Sequence, residues 1–198
     1  ISEVHCIAIA DQATRVFMRD ECKFGYRDSV FKHEEAGKYI VTSVMYHLQK
    51  EAPFNLNYGS LEHVINKEHA TLQTVRDGII SVRKEKLPDP KEIGSAGSFF
   101  KNPLIPTEQA DELKKAYPNM VLYPAQNTMV KVAAGWLIDS LGLKGFQIGN
   151  AKVHDKQALV LTNAGNATGN DVVELAKHIQ NTVSRTYNIE IVPEVIYL

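Results

Sequence analysis

Residues 94–103 read GSAGSFFKNP, which sets the hydroxyls of Ser95 and Ser98 beside Gly94 and Gly97 and just ahead of two aromatic rings. Glycine permits positive φ, or lets a bound molecule approach where a Cβ would collide, so a hydroxyl here could meet a ligand at close range. The same composition also suits a plain turn with Ser98 capping a helix. The stretch is neither a GxSxG elbow nor a glycine-lysine phosphate loop. A hydrolytic relay could be drawn from Ser98, His154 and Asp155, but sequence neighbours seldom serve as base and orienting carboxylate for one another.

Two charged residues stand out for the same kind of reason. Arg27, in GYRDSVFK, is either an ion-pair partner of its neighbour Asp28 or a guanidinium held for bidentate capture of a carboxylate. Glu194 sits in the apolar run IVPEVIY, where burial without a partner would cost on the order of several kcal/mol and would make a proton-holding carboxyl. It could equally lie on the exposed face of an edge strand, as Pro193 allows. Lys86, Lys101, Lys131 and Lys144 flank the glycine-rich and apolar motifs, where a phosphate would find counter-charges, although most such lysines are simply solvated. Ala133, Ala134 and Trp136 read as helix core, and Tyr58, in NLNYGSL, as a packed loop aromatic.

The frame that must position these groups is a globular one. The 198 residues, 44% hydrophobic and 23% charged, suffice for one large domain or two small ones. Twenty-two basic against twenty-three acidic side chains give a net charge of -1, without the basic excess that drives nucleic-acid binding. No long apolar run, signal peptide or lipidation motif is present in the sequence, so the expectation is a cytoplasmic chain without a membrane role. Cys6 and Cys22 lack metal or disulfide spacing and the seven histidines form no HExxH pair, so no metal is expected. The opening ISEVHCIAIA reads as mid-strand rather than a start, which suggests a fragment.

EVHCIAIA, TRVFMR and YIVTSVMYHL read as strands, separated by a charged segment, 21–38, that forms a loop or short helix. Leu72, Val75, Ile79 and Val82 recur at helical spacing and predict one buried face of a helix over 71–86, stopped by LPDP. Further helices are expected at 107–117, 131–141 and 169–187, the last with Val172, Leu175, Ile179 and Val183 on one face and a capping box from Thr168 to Asp171. NMVLYP, QALVLTN and IEIVPEVIYL read as strands. Mixed elements without a βαβ rhythm predict an α+β fold.

Taken in order, FGYRDSVFKHE, NYGSL, KLPDPK, GSAGSFFKNP, KVAAGWLID, GLKGFQIGNAKVH, ALVLTN and PEV resemble the second half of the UDP-N-acetylenolpyruvoylglucosamine reductase family, over nearly the whole chain. The loop around Tyr58 resembles that of the class with a tyrosine loop. The resemblance implies an α+β fold in three parts. Residues 1–87 would be the tail of an FAD-binding (PCMH-type) domain, residues 88–187 a substrate domain with mixed or antiparallel sheet, and 188–198 a strand returning to an N-terminal domain.

It also implies an activity: reduction of the enolpyruvyl ether of UDP-N-acetylglucosamine to UDP-N-acetylmuramate for peptidoglycan, with FAD as cofactor and NADPH as reductant. By position, Ser98 resembles the general acid, and Arg27 and Glu194 the pair that stabilises the developing enolate. Tyr58 resembles the tyrosine that closes over substrate, while Lys86, Asn102, Tyr123, Lys144 and Gln157 fall where the family contacts the nucleotide sugar. The resemblance implies no nucleic-acid, membrane or obligate protein partner. One departure is Ile196, where PEVIY replaces the family's PEVR. Most flavin contacts of the family would precede residue 1, so this chain alone is expected to bind flavin poorly and not to turn over. The competing reading is a nucleotide-sugar binding module without redox activity.

Overall fold

The computed structural model describes residues 1–51, 53–56, 61–125 and 127–197, which form two compact units, 1–55 and 56–198. In the first unit, strands β1 (Glu3–Ala8), β2 (Thr14–Met18) and β3 (Tyr39–Met45) make an antiparallel sheet of order β2-β1-β3. Val4 and Cys6 alternate inward from β1 and pack with Phe17, Cys22 and Val30, while Phe31 and Tyr39 meet Phe17 edge-on at 5.0 and 5.1 Å. The 21–38 segment is a loop carrying one 3-10 turn, Val30–Lys32.

The expected alternation through YIVTSVMYHL breaks at Thr42. The β1–β3 register shifts between His5 and Cys6, whose partners are Ser43 and Val41, so Thr42 is the extra residue of a bulge. Its hydroxyl donates to the His5 carbonyl at 3.1 Å. The strand ends at Met45, and Tyr46 and Leu48 are exposed.

The second unit opens with a short helix α1 (Leu61–Val64) and α2 (Leu72–Lys86), which share a small cluster of Leu56, Leu61 and Ile65 with Val75 and Val82. The buried face of α2 differs from the one its spacing predicts. Leu72 and Ile79 are exposed, and the buried stripe runs through Val75, Gly78 and Val82. Gly78 takes the innermost place because a Cβ there would come within 2.8 Å of Ile65, so backbone rather than side chain makes the close approach.

The larger core joins two antiparallel sheets and three helices. One sheet has the order β4-β10-β9-β8, from β4 (Ser95–Ser98), β8 (Gln147–Ile148), β9 (Ala151–Val153) and β10 (Val160–Asn163). The other has the order β5-β7-β6, from β5 (Leu104–Pro106), β6 (Leu122–Pro124) and β7 (Met129–Val132). Helices α3 (Thr107–Ala116), α4 (Ala134–Ser140) and α5 (Gly169–Tyr187) pack against them. Of the expected α5 face, Leu175, Ile179 and Val183 are buried and Val172 is half-buried, and the Thr168–Asp171 capping box is formed.

Two sequence expectations are revised in this unit. Residues 131–132 belong to β7 rather than to the helix expected over 131–141, because Lys131 and Val132 pair with Leu104 and Leu122; helix α4 begins only at Ala134. The run IEIVPEVIYL forms no strand among its described residues, only a single antiparallel bridge from Pro193 to Phe100. Proline has no N–H to extend a ladder. The fold is α+β, with every named strand pairing antiparallel.

Candidate active site

Ser98 closes β4, and the strand that presents it is irregular. Val160 pairs with Ser98 and Thr162 with Ser95, so β4 carries one residue more than β10 between the same two rungs. Gly97, at φ +69, absorbs that extra residue, and no atom lies within 4 Å of where a Cβ would stand. The bulge therefore leaves Ser98 exposed beside open backbone, and it caps no helix. Behind it, Phe99 and Phe100 are buried in the core and hold the strand end in place.

Phe99 joins three segments of the second unit. Its amide donates to the Leu159 carbonyl at 2.8 Å, and its carbonyl accepts from the Glu194 amide at 2.8 Å. Ser98 and Glu194, far apart in sequence, are thereby set on either side of one residue's backbone. Glu194 is half-buried, between the two alternatives its sequence left open.

Asn102 accepts a hydrogen bond on Oδ1 from the Ala134 amide at 2.9 Å, capping α4 where Ala133 has no side-chain acceptor to offer. Gln157 Oε1 lies 3.7 Å from a Cβ built on Gly135, so it stands against the same first turn. In the neighbouring sheet, Leu104, Lys131 and Tyr123 form one transverse row, with the Lys131 ammonium 5.5 Å from the centre of the Tyr123 ring. The Pro103 carbonyl accepts from Val132, which ties this row to the Asn102 turn.

The remaining candidates are carried by other elements. Lys144 lies beyond the opposite end of α4, with Nζ 2.8 Å from Asp139. Lys86 is the last residue of α2 and is half-buried. Arg27 lies in the first unit, at φ +55 in a tight turn where Gly25 and Asp28 exchange backbone hydrogen bonds and the Arg27 carbonyl accepts from Lys32 Nζ. The Asp28 carboxylate is 2.7 Å from His33 Nε2. Tyr58 lies outside the described residues.

The hydrolytic relay is not assembled. Among the described residues no hydrogen bond joins Ser98 to His154 or His154 to Asp155. The Asp155 carboxylate instead accepts from Lys152 Nζ at 2.7 Å, which holds its carboxyl below the ordinary value. Nor, among the described residues, do three or more His, Cys, Asp or Glu gather to hold a metal. A groove of about 240 Å³ between Lys177, Gln180 and Ser184 of α5 and residues 190–192 contains none of the candidates. Lys131 was legible only as a flanking lysine, because the helix expected over 131–141 hid the period-2 pattern that places it opposite Tyr123.

The arrangement defines an α+β domain in which the half-buried Glu194 hydrogen-bonds, through its amide, to the residue after the exposed Ser98, with a cation–aromatic pair in the neighbouring sheet. Residues 89–198 match the family described as UDP-N-acetylenolpyruvoylglucosamine reductase, C-terminal domain, and the chain belongs to that family. It is 47% identical over 181 residues to the UDP-N-acetylenolpyruvoylglucosamine reductase of Chromobacterium violaceum, covering 90% of this chain and 53% of that protein. Its identity to the Pectobacterium atrosepticum protein of the same name is 45% over 195 residues, covering 98% and 56%. Among solved structures it resembles UDP-N-acetylenolpyruvylglucosamine reductase (MurB) from Thermus caldophilus, with a TM-score of 0.58, 25% identity, and coverage of 99% of this chain and 52% of the other. The chain spans about half the length of the curated relatives it matches.

Proposed function

We propose that the chain carries the proton-donating part of a UDP-N-acetylmuramate dehydrogenase, which reduces the enolpyruvyl ether of UDP-N-acetylglucosamine in peptidoglycan synthesis. The observation that supports this reading is the hydrogen bond from the Glu194 amide to the carbonyl of Phe99, the residue after Ser98, in a member of this family. When bound, FAD recharged by NADPH supplies the hydride. Gly97 offers the backbone opening such a planar group needs, since nothing stands where its Cβ would be.

Ser98 holds a proton on Oγ and gives it to the carbon next to the substrate carboxylate. A serine is a weak acid toward water but an adequate one toward a carbon base when neighbouring charge polarises it. General-acid help of this kind is worth roughly 100- to 10,000-fold. Arg27 and Glu194 bind and stabilise the developing enolate beside the substrate carboxylate in this reading, Arg27 by bidentate hydrogen bonds to the carboxylate and Glu194 by a hydrogen bond donated from a proton-holding carboxyl. Tyr123, Asn102 and Gln157 contact the nucleotide sugar, with Lys131 beside Tyr123 as a phosphate counter-charge; Lys86 and Lys144 supply further charge, and Tyr58 closes over the substrate. Residues 1–87 then end an FAD-binding domain, 88–187 form the substrate domain, and 188–198 return to the first domain.

The holoenzyme should consume NADPH only when the enolpyruvyl nucleotide sugar is present, and substrate-independent or absent consumption refutes the assignment. Calorimetry of this chain with a UDP-sugar tests the alternative of a binding module without redox activity. Tight binding that needs no flavin, together with a holoenzyme that never oxidises NADPH, would favour the module.

A further inference from the structure

Beyond Glu194 the chain has little to hold it. Among the described residues, 195–197 make no backbone hydrogen bond, and the bridge from Pro193 to Phe100 is a single rung flanked by Lys101 N–H donating to Val192 and Glu194 N–H donating to Phe99. A segment whose backbone is tied by a single bridge frays readily, because end rungs open at small free-energy cost.

The side chains supply what the backbone lacks. Val195 packs against the main core and Ile196 is 84% exposed, but the Tyr197 ring turns back onto Phe99, with ring centres 6.4 Å apart and planes at 38°. Phe99 is in turn locked edge-on against Phe100 at 5.1 Å. Residues 194–197 thus rest on Phe99 at both ends, by the Glu194 amide at one and by the Tyr197 ring at the other.

We propose that Tyr197 is a positioning residue for Glu194, closing residues 194–197 into a clasp over Phe99 and so fixing the carboxylate relative to Ser98. The aromatic ring does this, not the hydroxyl. The ring is half-exposed, and partial desolvation pushes its phenol above the ordinary value. The catalytic consequence rests on the reading of Ser98 and Glu194 given above, whereas the clasp itself does not.

Hydrogen exchange of the Glu194 amide in this chain tests the clasp without any cofactor. An aromatic pair of this kind is worth roughly 2- to 10-fold in an opening equilibrium. Tyr197→Ala should speed exchange at Glu194 by about that factor, and Tyr197→Phe should restore it, while Val153 and Leu161 in the central strands keep their protection and report an intact fold. Unchanged exchange in Tyr197→Ala, or Tyr197→Phe as fast as Tyr197→Ala, overturns the proposal. In the holoenzyme, Tyr197→Ala should lower kcat with KM for the enolpyruvyl nucleotide sugar nearly unchanged, and Tyr197→Phe should recover kcat. Normal kcat in a variant whose Glu194 exchange has risen would overturn the positioning role. A wild-type holoenzyme inert toward that substrate would refute the assigned reaction instead, leaving the exchange result to decide the clasp.

Discussion

Gly97 and Asn102 show how much a single residue can mean once its neighbours are known. The sequence around Ser98 fitted a plain turn as well as a site, because glycine and serine serve both. The bulge at Gly97 and the buried rings of Phe99 and Phe100 make it a strand end that presents a hydroxyl, and no local pattern announces a bulge, which depends on the partner strand β10. Asn102 caps α4 across a gap in sequence that no capping rule spans. Asn102→Ala should therefore destabilise the second unit by about 1 kcal/mol, the usual cost of a lost N-cap, as measured by denaturant unfolding. Asp155 gives a pH-dependent test. Its carboxyl is lowered first by the hydrogen bond from Lys152, so whatever stability it contributes is present above its ordinary value of 3.8 and lost as pH falls through the lower folded value. Lys152→Ala should move the Asp155 titration up toward that ordinary value by NMR, and should change stability only on the neutral side of the window.

At the scale of elements, sequence periodicity served best where one face alone is buried. The α5 stripe and its capping box were legible because Leu175, Ile179 and Val183 all turn to one core. The stripe on α2 misled, because Gly78 rather than a large side chain makes the closest approach to Ile65. Strand β7 was hidden by the apolar richness of the helix that follows it, and the terminal run lost its ladder at Pro193. Gly149 tests the best-defined of these elements. It sits at φ +55, and a Cβ there would come within 2.5 Å of Asp171 Oδ1, the carboxylate that closes the α5 capping box. Gly149→Ala should cost about 2 kcal/mol or more, combining left-handed strain with a displaced cap, whereas Thr168→Ala should cost about 1 kcal/mol. Thermal unfolding of the two variants side by side checks the order.

At the scale of the molecule, each compact unit closes its own apolar cluster. Val4, Cys6, Phe17, Cys22 and Val30 form that of the first unit, and the helices and two sheets form those of the second. Phe17→Ala should remove roughly 3 to 5 kcal/mol from its cluster, and hydrogen exchange should show β1, β2 and β3 losing protection while β9, β10 and α5 keep theirs. The α+β class and the family were both legible in the sequence, the first from mixed periodicities and the second from the order of motifs along the chain. The link from Glu194 to the residue after Ser98 was legible only through that resemblance, since it is a backbone hydrogen bond at Phe99 between segments far apart in sequence. In this family member, among the described residues, no helix is long and apolar enough to cross a membrane. The central claim is that Ser98 supplies the proton, and the most direct measurement separates the two half-reactions of the Ser98→Ala holoenzyme. Reduction of bound flavin by NADPH should proceed at the wild-type rate, and its reoxidation by the enolpyruvyl nucleotide sugar should slow by roughly 100- to 10,000-fold. Reoxidation at the wild-type rate would contradict it.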